Sequence, residues 1–242
     1  MGLGGTALGA GRGDTGGGQF RTARHHLDGG GSEPTAAGRQ YRDGFTALAY
    51  LSALPAIDAR RIGIIGFSKG AQVAVYTALE PFRAGSVAGG QRFALHLALY
   101  PSCSLPYLGQ PVADAVVHLL LGALDDYTPA AHCLRYADWL KAQGARIETV
   151  VLDDAHHGFD HRPPVRFLVR VQTARDRGLD IELPAIHGRR WDNGEIVPNE
   201  RIGAYVRGCL GRGAHFGGNP EALSQAVARV REASKQHLLR PP

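Results

Sequence analysis

A chain of 242 residues, 44% hydrophobic and 20% charged, is long enough to bury one sizeable core, so a single domain is the default. No apolar run reaches the roughly 18 residues needed to cross a bilayer, and the N-terminus lacks the order of a signal peptide; a soluble chain, cytoplasmic by default and without a membrane partner, is expected. The formal net charge of +5 is spread along the sequence, with only short clusters such as Arg60-Arg61 and Arg189-Arg190, which ranks nucleic-acid binding well below catalysis.

Residues 1–38 are dominated by glycine, with the runs Gly16-Gly17-Gly18 and Gly29-Gly30-Gly31. Such a segment loses too much backbone entropy to form regular structure and is expected to be flexible. The domain proper is expected over 39–242. Tyr41, Phe45, Leu48 and Leu51 recur at helical spacing up to Pro55, predicting an amphipathic helix. Arg61 to Phe67 is apolar without alternation, as in a strand covered on both faces, and Lys69 to Leu79 then reads as a helix ended near Pro81.

Phe93 to Tyr100, Ala115 to Leu121 and Arg146 to Leu152 read as further strands, with a helix over Ala130 to Ala142. Strands alternating with helices predict an α/β fold: a mostly parallel sheet with helices on both faces. From Pro163 the pattern is less regular, and residues 163–218 are a candidate cover for the site. Asn219-Pro220-Glu221 opens a last helix carrying Leu223, Val227 and Val230. Cys103, Cys133 and Cys209 show neither CxxC spacing nor histidines at zinc-ligand offsets, so no metal site is expected. One disulfide with a thiol left over, and three reduced buried thiols, both remain open.

Gly66-Phe67-Ser68-Lys69-Gly70 fits the G-x-S-x-G nucleophile elbow and lies between a strand and a helix, as that motif requires. A serine on so sharp a turn needs neighbours without bulk. The following helix aims its N-terminal N–H groups at the reaction centre, and the N–H of Lys69 is placed to donate to an oxyanion. The alternative for the pentapeptide alone is a glycine-rich turn with a helix-capping serine.

A serine hydroxyl needs a base on a loop at the carboxyl edge of the same sheet. Asp154-Ala155-His156-His157-Gly158-Phe159 follows a strand; His157 is preferred to His156 because Gly158 gives the loop freedom to turn the ring. The base in turn needs a carboxylate to hold its other nitrogen. Gly122-Ala123-Leu124-Asp125-Asp126-Tyr127-Thr128-Pro129 follows another strand and offers one, while Asp126 or Thr128 could serve the turn and helix cap. Ser68, Asp125 and His157, each after a strand, reproduce the chain order Ser, acid, His of α/β-hydrolases.

These three blocks, with Leu51-Ser52-Ala53-Leu54-Pro55 and Tyr100-Pro101-Ser102-Cys103, resemble the dienelactone hydrolase family, well from about Arg12 to His157 and loosely in the tail. The resemblance implies a cofactor-free hydrolase of small-molecule esters or lactones, with Asp125 as acid and His157 as base. Arg12, in an Arg-Gly pair similar to the family's, would meet a substrate carboxylate. Dienelactone hydrolases proper carry cysteine at the position of Ser68, so a broader acyl-ester specificity is the expectation. The family normally has several strands and an oxyanion loop before the first helix, where this chain has a glycine-rich stretch, so the N-terminal part of the sheet is expected to be missing. Loss of a second oxyanion donor would cost about 3 kcal/mol of transition-state stabilisation, and an unpaired strand edge would favour a homodimer or poor solubility. Two rival readings stand beside the esterase: a truncated, weakly active or inactive domain, and a peptidase or acyltransferase built on the same triad.

Overall fold

The structure, a computed structural model, describes residues 36–87 and 89–239. Arg12 and residues 1–35 of the glycine-rich segment lie outside the described residues, whereas 36–38 are already helical. The helical spacing seen in the sequence forms α1 (Ala36–Ser52), which buries Tyr41, Phe45 and Leu48. A short 3₁₀ turn leads into β1 (Gly63–Phe67), which hands over at Ser68 to α2 (Lys69–Tyr76).

The helix after Ser68 stops at Tyr76, earlier than the sequence suggested. Pro81 does not end it; it occupies the first turn of the next helix, α3 (Glu80–Ser86), where a missing N–H has no helical partner to lose. Then follow β2 (Leu95–Leu99), β3 (Tyr107–Leu108), β4 (Val116–Gly122), α4 (Ala130–Ala142) and β5 (Arg146–Leu152).

β1, β2, β4 and β5 form one parallel sheet in the order β1-β2-β4-β5. Period-two alternation decides what each face covers. On β4, Val117, Leu119 and Leu121 join the core under α1–α4. Val116 and Leu120 point to the opposite face. That face is closed by a C-terminal helix, α6 (Pro220–Leu238), through Ala222, Ala226 and Ala233. Asn219 caps α6 by accepting the N–H of Ala222 at 3.0 Å. Of the apolar residues the helix carries, Val230 packs beside these alanines while Val227 is exposed.

β1 also departs from expectation. Ile65 and Phe67 are 47% and 43% exposed. β1 is an edge strand among the described residues, and one of its faces has only partial cover, so its apolar run reflects composition rather than burial on both sides.

Two smaller sheets follow. β6 (Arg166–Thr173) pairs antiparallel with β10 (Gly211–Phe216), with a bulge between Arg212 and Ala214. β7 (Leu179–Glu182), β8 (His187–Arg190) and β9 (Ile196–Pro198) form a meander that continues β3, and α5 (Asn199–Gly208) leads from it to β10. Of the candidate cover, the β6–β10 ribbon meets the serine–histidine site through the bridge between His157 and Phe216, and the meander joins β3. Cys103 and Cys133 are joined by a disulfide, and Cys209 is free and buried. Among the described residues, no helix is long and apolar enough to cross a membrane.

Candidate active site

All strands of the parallel sheet point the same way, so the loops after β1, β2, β4 and β5 gather at one edge. Ser68 follows β1 with φ 51° and ψ −115°, a conformation that non-glycine residues rarely adopt. The turn is held by the Ser68 N–H donating to Leu99 O at 3.0 Å and by the Ser68 carbonyl accepting from Ala71 and Gln72. The demand for a small residue falls on Gly66: a Cβ there would lie 2.1 Å from the Gly70 carbonyl oxygen, whereas one at Gly70 would meet open space.

The loops after β4 and β5 are pinned to each other. Ala123 N–H donates to Leu152 O and Leu124 N–H to Ala155 O, and a Cβ at Gly122 would sit 2.4 Å from the Ala155 oxygen. This close approach brings Asp125 beside His157. Ser68 Oγ lies 2.9 Å from His157 Nε2, and His157 Nδ1 lies 2.9 Å from Asp125 Oδ2.

Asp125 and His157 are buried at 4% and 1% exposure, so their electrostatic coupling is shielded from water. The other carboxylate oxygen of Asp125 accepts the N–H groups of Tyr127 and Thr128 at 2.9 and 2.7 Å. Asp125 itself therefore makes the turn that the sequence reading gave to Asp126 or Thr128; α4 starts after Pro129 with no side-chain cap.

The imidazole of His157 is packed between Tyr100 and Tyr127, with ring centroids at 4.7 and 4.6 Å. Tyr100, at the end of β2, has φ 44°, and its hydroxyl donates to Asp160 at 2.5 Å. Burial and the Asp160 carboxylate push its phenol pKa well up, so it acts as a neutral donor. Gly158 has φ +74°, and a Cβ there would be 2.7 Å from the Phe216 ring. With Gly217 N–H donating to His157 O at 3.0 Å, the ribbon fixes the loop from behind.

The structure thus brings Ser68, His157 and Asp125 into one hydrogen-bonded line, with Lys69 at the first position of α2, where its N–H has no helical acceptor. His156 and Asp126 lie apart from that line. Asp126 accepts from the His215 N–H and Nδ1 at 2.8 and 2.9 Å, and His156 faces the His215 ring at 5.2 Å. Three contributors were not recognised from the sequence: Thr128, Tyr127 and Phe216. The first two follow Asp125 directly, and position beside the acid was the available signal; nothing marked Phe216, 59 residues beyond His157.

A parallel sheet flanked by helices, with this line at its carboxyl edge, is an α/β-hydrolase-like fold. Residues 18–177, more than half of the chain, match the model described as "Dienelactone hydrolase family". The chain belongs to the dienelactone hydrolase family. No curated protein matches it.

Similar solved structures include an α/β-hydrolase enzyme, MGS-M1, from a Medee basin deep-sea metagenome library, at 24% identity and TM-score 0.41, with 49% of this chain and 50% of that one covered. Esterase 2 of Thermogutta terrifontis, phosphoramylated by tabun, is similar at 19% identity and TM-score 0.42, over 51% and 55%. The dienelactone hydrolase-like promiscuous phosphotriesterase P91 from metagenomic libraries is similar at 12% identity and TM-score 0.49, over 84% and 64%. The chain spans about half the length of the first two and less than two thirds of the third.

Proposed function

We propose that the chain is a serine hydrolase that cleaves carboxylic esters or lactones through an acyl-enzyme. The observation that carries this reading is the continuous line Ser68 Oγ–His157 Nε2 and His157 Nδ1–Asp125 Oδ2, at 2.9 Å in each link. Nε2 must accept a proton, so Nδ1 carries the other and donates it to Asp125. Ser68 gives its proton to Nε2 as Oγ attacks the substrate carbonyl carbon. The resulting oxyanion is met by the N–H of Lys69 and the N-terminus of α2.

Collapse of that intermediate breaks the ester C–O bond, and the alkoxide leaves with the proton from Nε2. Water then attacks the acyl-Ser68 ester, giving one proton to Nε2, and the carboxylic acid departs as Ser68 recovers its hydrogen. Each step uses groups of the chain and water. Family membership supports ester chemistry over other reactions of such triads.

The reading is tested by turnover of short-chain p-nitrophenyl esters and simple lactones by the folded chain. Wild type is expected to hydrolyse them, and Ser68→Ala and His157→Ala to lose turnover while keeping the wild-type circular dichroism. Undiminished turnover in Ser68→Ala would contradict it. Faster cleavage of peptide amides than of esters would point instead to a peptidase.

A further inference from the structure

Beside the serine–histidine line lies a second cluster that the hydrolase reading does not use. Asp126, His156 and His215 each offer one ligand atom, and these atoms lie within 4.8 Å of one another. They arrive from three separate segments: the loop after β4, the loop after β5, and β10. The Asp126–His215 hydrogen bonds, at 2.8 and 2.9 Å, already hold the carboxylate and one imidazole in place. His156 Nδ1 is buried with no hydrogen-bond partner among the described residues, an arrangement that a folded chain rarely leaves without a purpose.

We propose that Asp126, His156 and His215 form a binding site for a divalent transition-metal ion, of which zinc is the best match. Two imidazoles and one carboxylate form a ligand set used by zinc, with a fourth position left for water. Zinc–ligand bonds of about 2.0–2.2 Å put tetrahedral donor atoms roughly 3.4 Å apart, so the side chains need close by only a small rotation. Imidazole donors also select against magnesium and calcium, which prefer oxygen.

Arg175 opposes a cation, with Nη1 at 3.6 Å from Asp126 Oδ2. That same nitrogen is tied to the carbonyls of Asp126 and Gly213 at 2.7 and 3.0 Å, which fixes the guanidinium rather than leaving it free to occupy the space between the imidazoles. Each proposed ligand is next in sequence to a group at the other site: Asp126 to Asp125, His156 to His157, and His215 to Phe216. A bound ion would therefore tie the acid loop, the base loop and the ribbon together. The proposal does not rest on the hydrolase reading.

The test is calorimetric titration of the full chain, freed of metal by a chelator, with zinc chloride. Wild type, His156→Ala, His156→Gln and His215→Ala are compared, with magnesium chloride as the control ion. Wild type is expected to bind one zinc ion at this site, and each variant to lose about tenfold or more in affinity, since even the outer partners of metal ligands are worth that much. A zinc-dependent rise in melting temperature is expected in wild type and lost in the variants, and magnesium is expected to produce neither effect. Absence of zinc binding, or unchanged affinity and stoichiometry in all three variants, would overturn the proposal, the second result placing the ion elsewhere. Covalent labelling of Ser68 in metal-free protein reports on the hydrolase reading separately.

Discussion

Thr128 Oγ1 stands 2.9 Å from Asp125 Oδ2 and 3.0 Å from His157 Nδ1, so one hydroxyl touches both partners of the candidate acid–base pair. It is also 3.3 Å from the Tyr100 carbonyl. With the Nδ1 proton directed at Asp125, the hydroxyl donates to the carboxylate and holds it in line with the ring. Thr128→Val keeps the shape and removes this bond, a loss of about 1–1.5 kcal/mol. We expect kcat to fall about tenfold with KM little changed. An unchanged kcat, measured by steady-state ester hydrolysis, would show that the hydroxyl has no part in positioning.

Asp125 has the larger effect on the base. Asp125→Asn retains the size of the side chain but offers an N–H where Nδ1–H needs an acceptor, which favours the wrong tautomer of His157. In a triad of this design such a change lowers kcat by about ten thousandfold. Loss of less than tenfold would remove Asp125 from the proposed role.

Gly66 is set by space. The Cβ of Gly66→Ala would meet Gly70 O at 2.1 Å and Gly70 C at 2.3 Å, both backbone atoms, so the elbow must open to admit it. Overpacking of this kind costs about 1–3 kcal/mol and moves Ser68 from His157. Urea unfolding should show the destabilisation, and activity should fall further than stability alone would account for.

His96 makes stability depend on pH. It is fully buried in β2; burial lowers its pKa from 6.5 to about 4, only partly offset by its hydrogen bond to Ala74 O. The unfolded chain therefore takes up a proton near pH 6.5 that the folded chain refuses until about pH 4. Its contribution is full above pH 6.5 and is lost as pH falls toward 4, about 3 kcal/mol over the whole window. Burial lowers His118 and His132 as well, in the same direction. Denaturant titrations at pH 7 and pH 5 should show the drop, and His96→Leu should flatten part of it; identical slopes for the two proteins would contradict the assignment.

The disulfide between Cys103 and Cys133 spans 30 positions in sequence and ties the segment after β2 to the first turn of α4. Closing a loop of that size in the unfolded chain is worth about 3.5 kcal/mol on the chain-entropy model. Replacing both cysteines with serine should lower unfolding free energy by about that amount, and dithiothreitol should do the same to wild type.

The site is legible in sequence because three of the four strands of the sheet end in an abrupt change of chemistry: Gly66 before Ser68, Gly122 before Asp125, and Leu152 before His156 and His157. The preference for His157 over His156 rested on Gly158; in the structure His157 is the histidine beside Ser68, and Gly158 adopts a positive φ. What escaped depends on distance in sequence. Asp126 and His215 are 89 residues apart, and no local pattern marks them as neighbours. The end of α2 is not legible from Pro81, because a proline that looks like a helix stop serves equally as the first turn of the next helix. The exposure of Ile65 and Phe67 was hidden because an apolar run looks the same in an edge strand and a central one.

Hydrolysis by the proposed route requires Ser68 to be an activated nucleophile. The most direct test is labelling of the folded chain with a fluorophosphonate, followed by peptide mass spectrometry, with Ser68→Ala and His157→Ala as controls. Modification confined to the peptide carrying Ser68, and lost in both variants, is the predicted result. A folded wild-type chain that takes no label, or one labelled equally well without His157, would mean that Ser68 is not activated by His157.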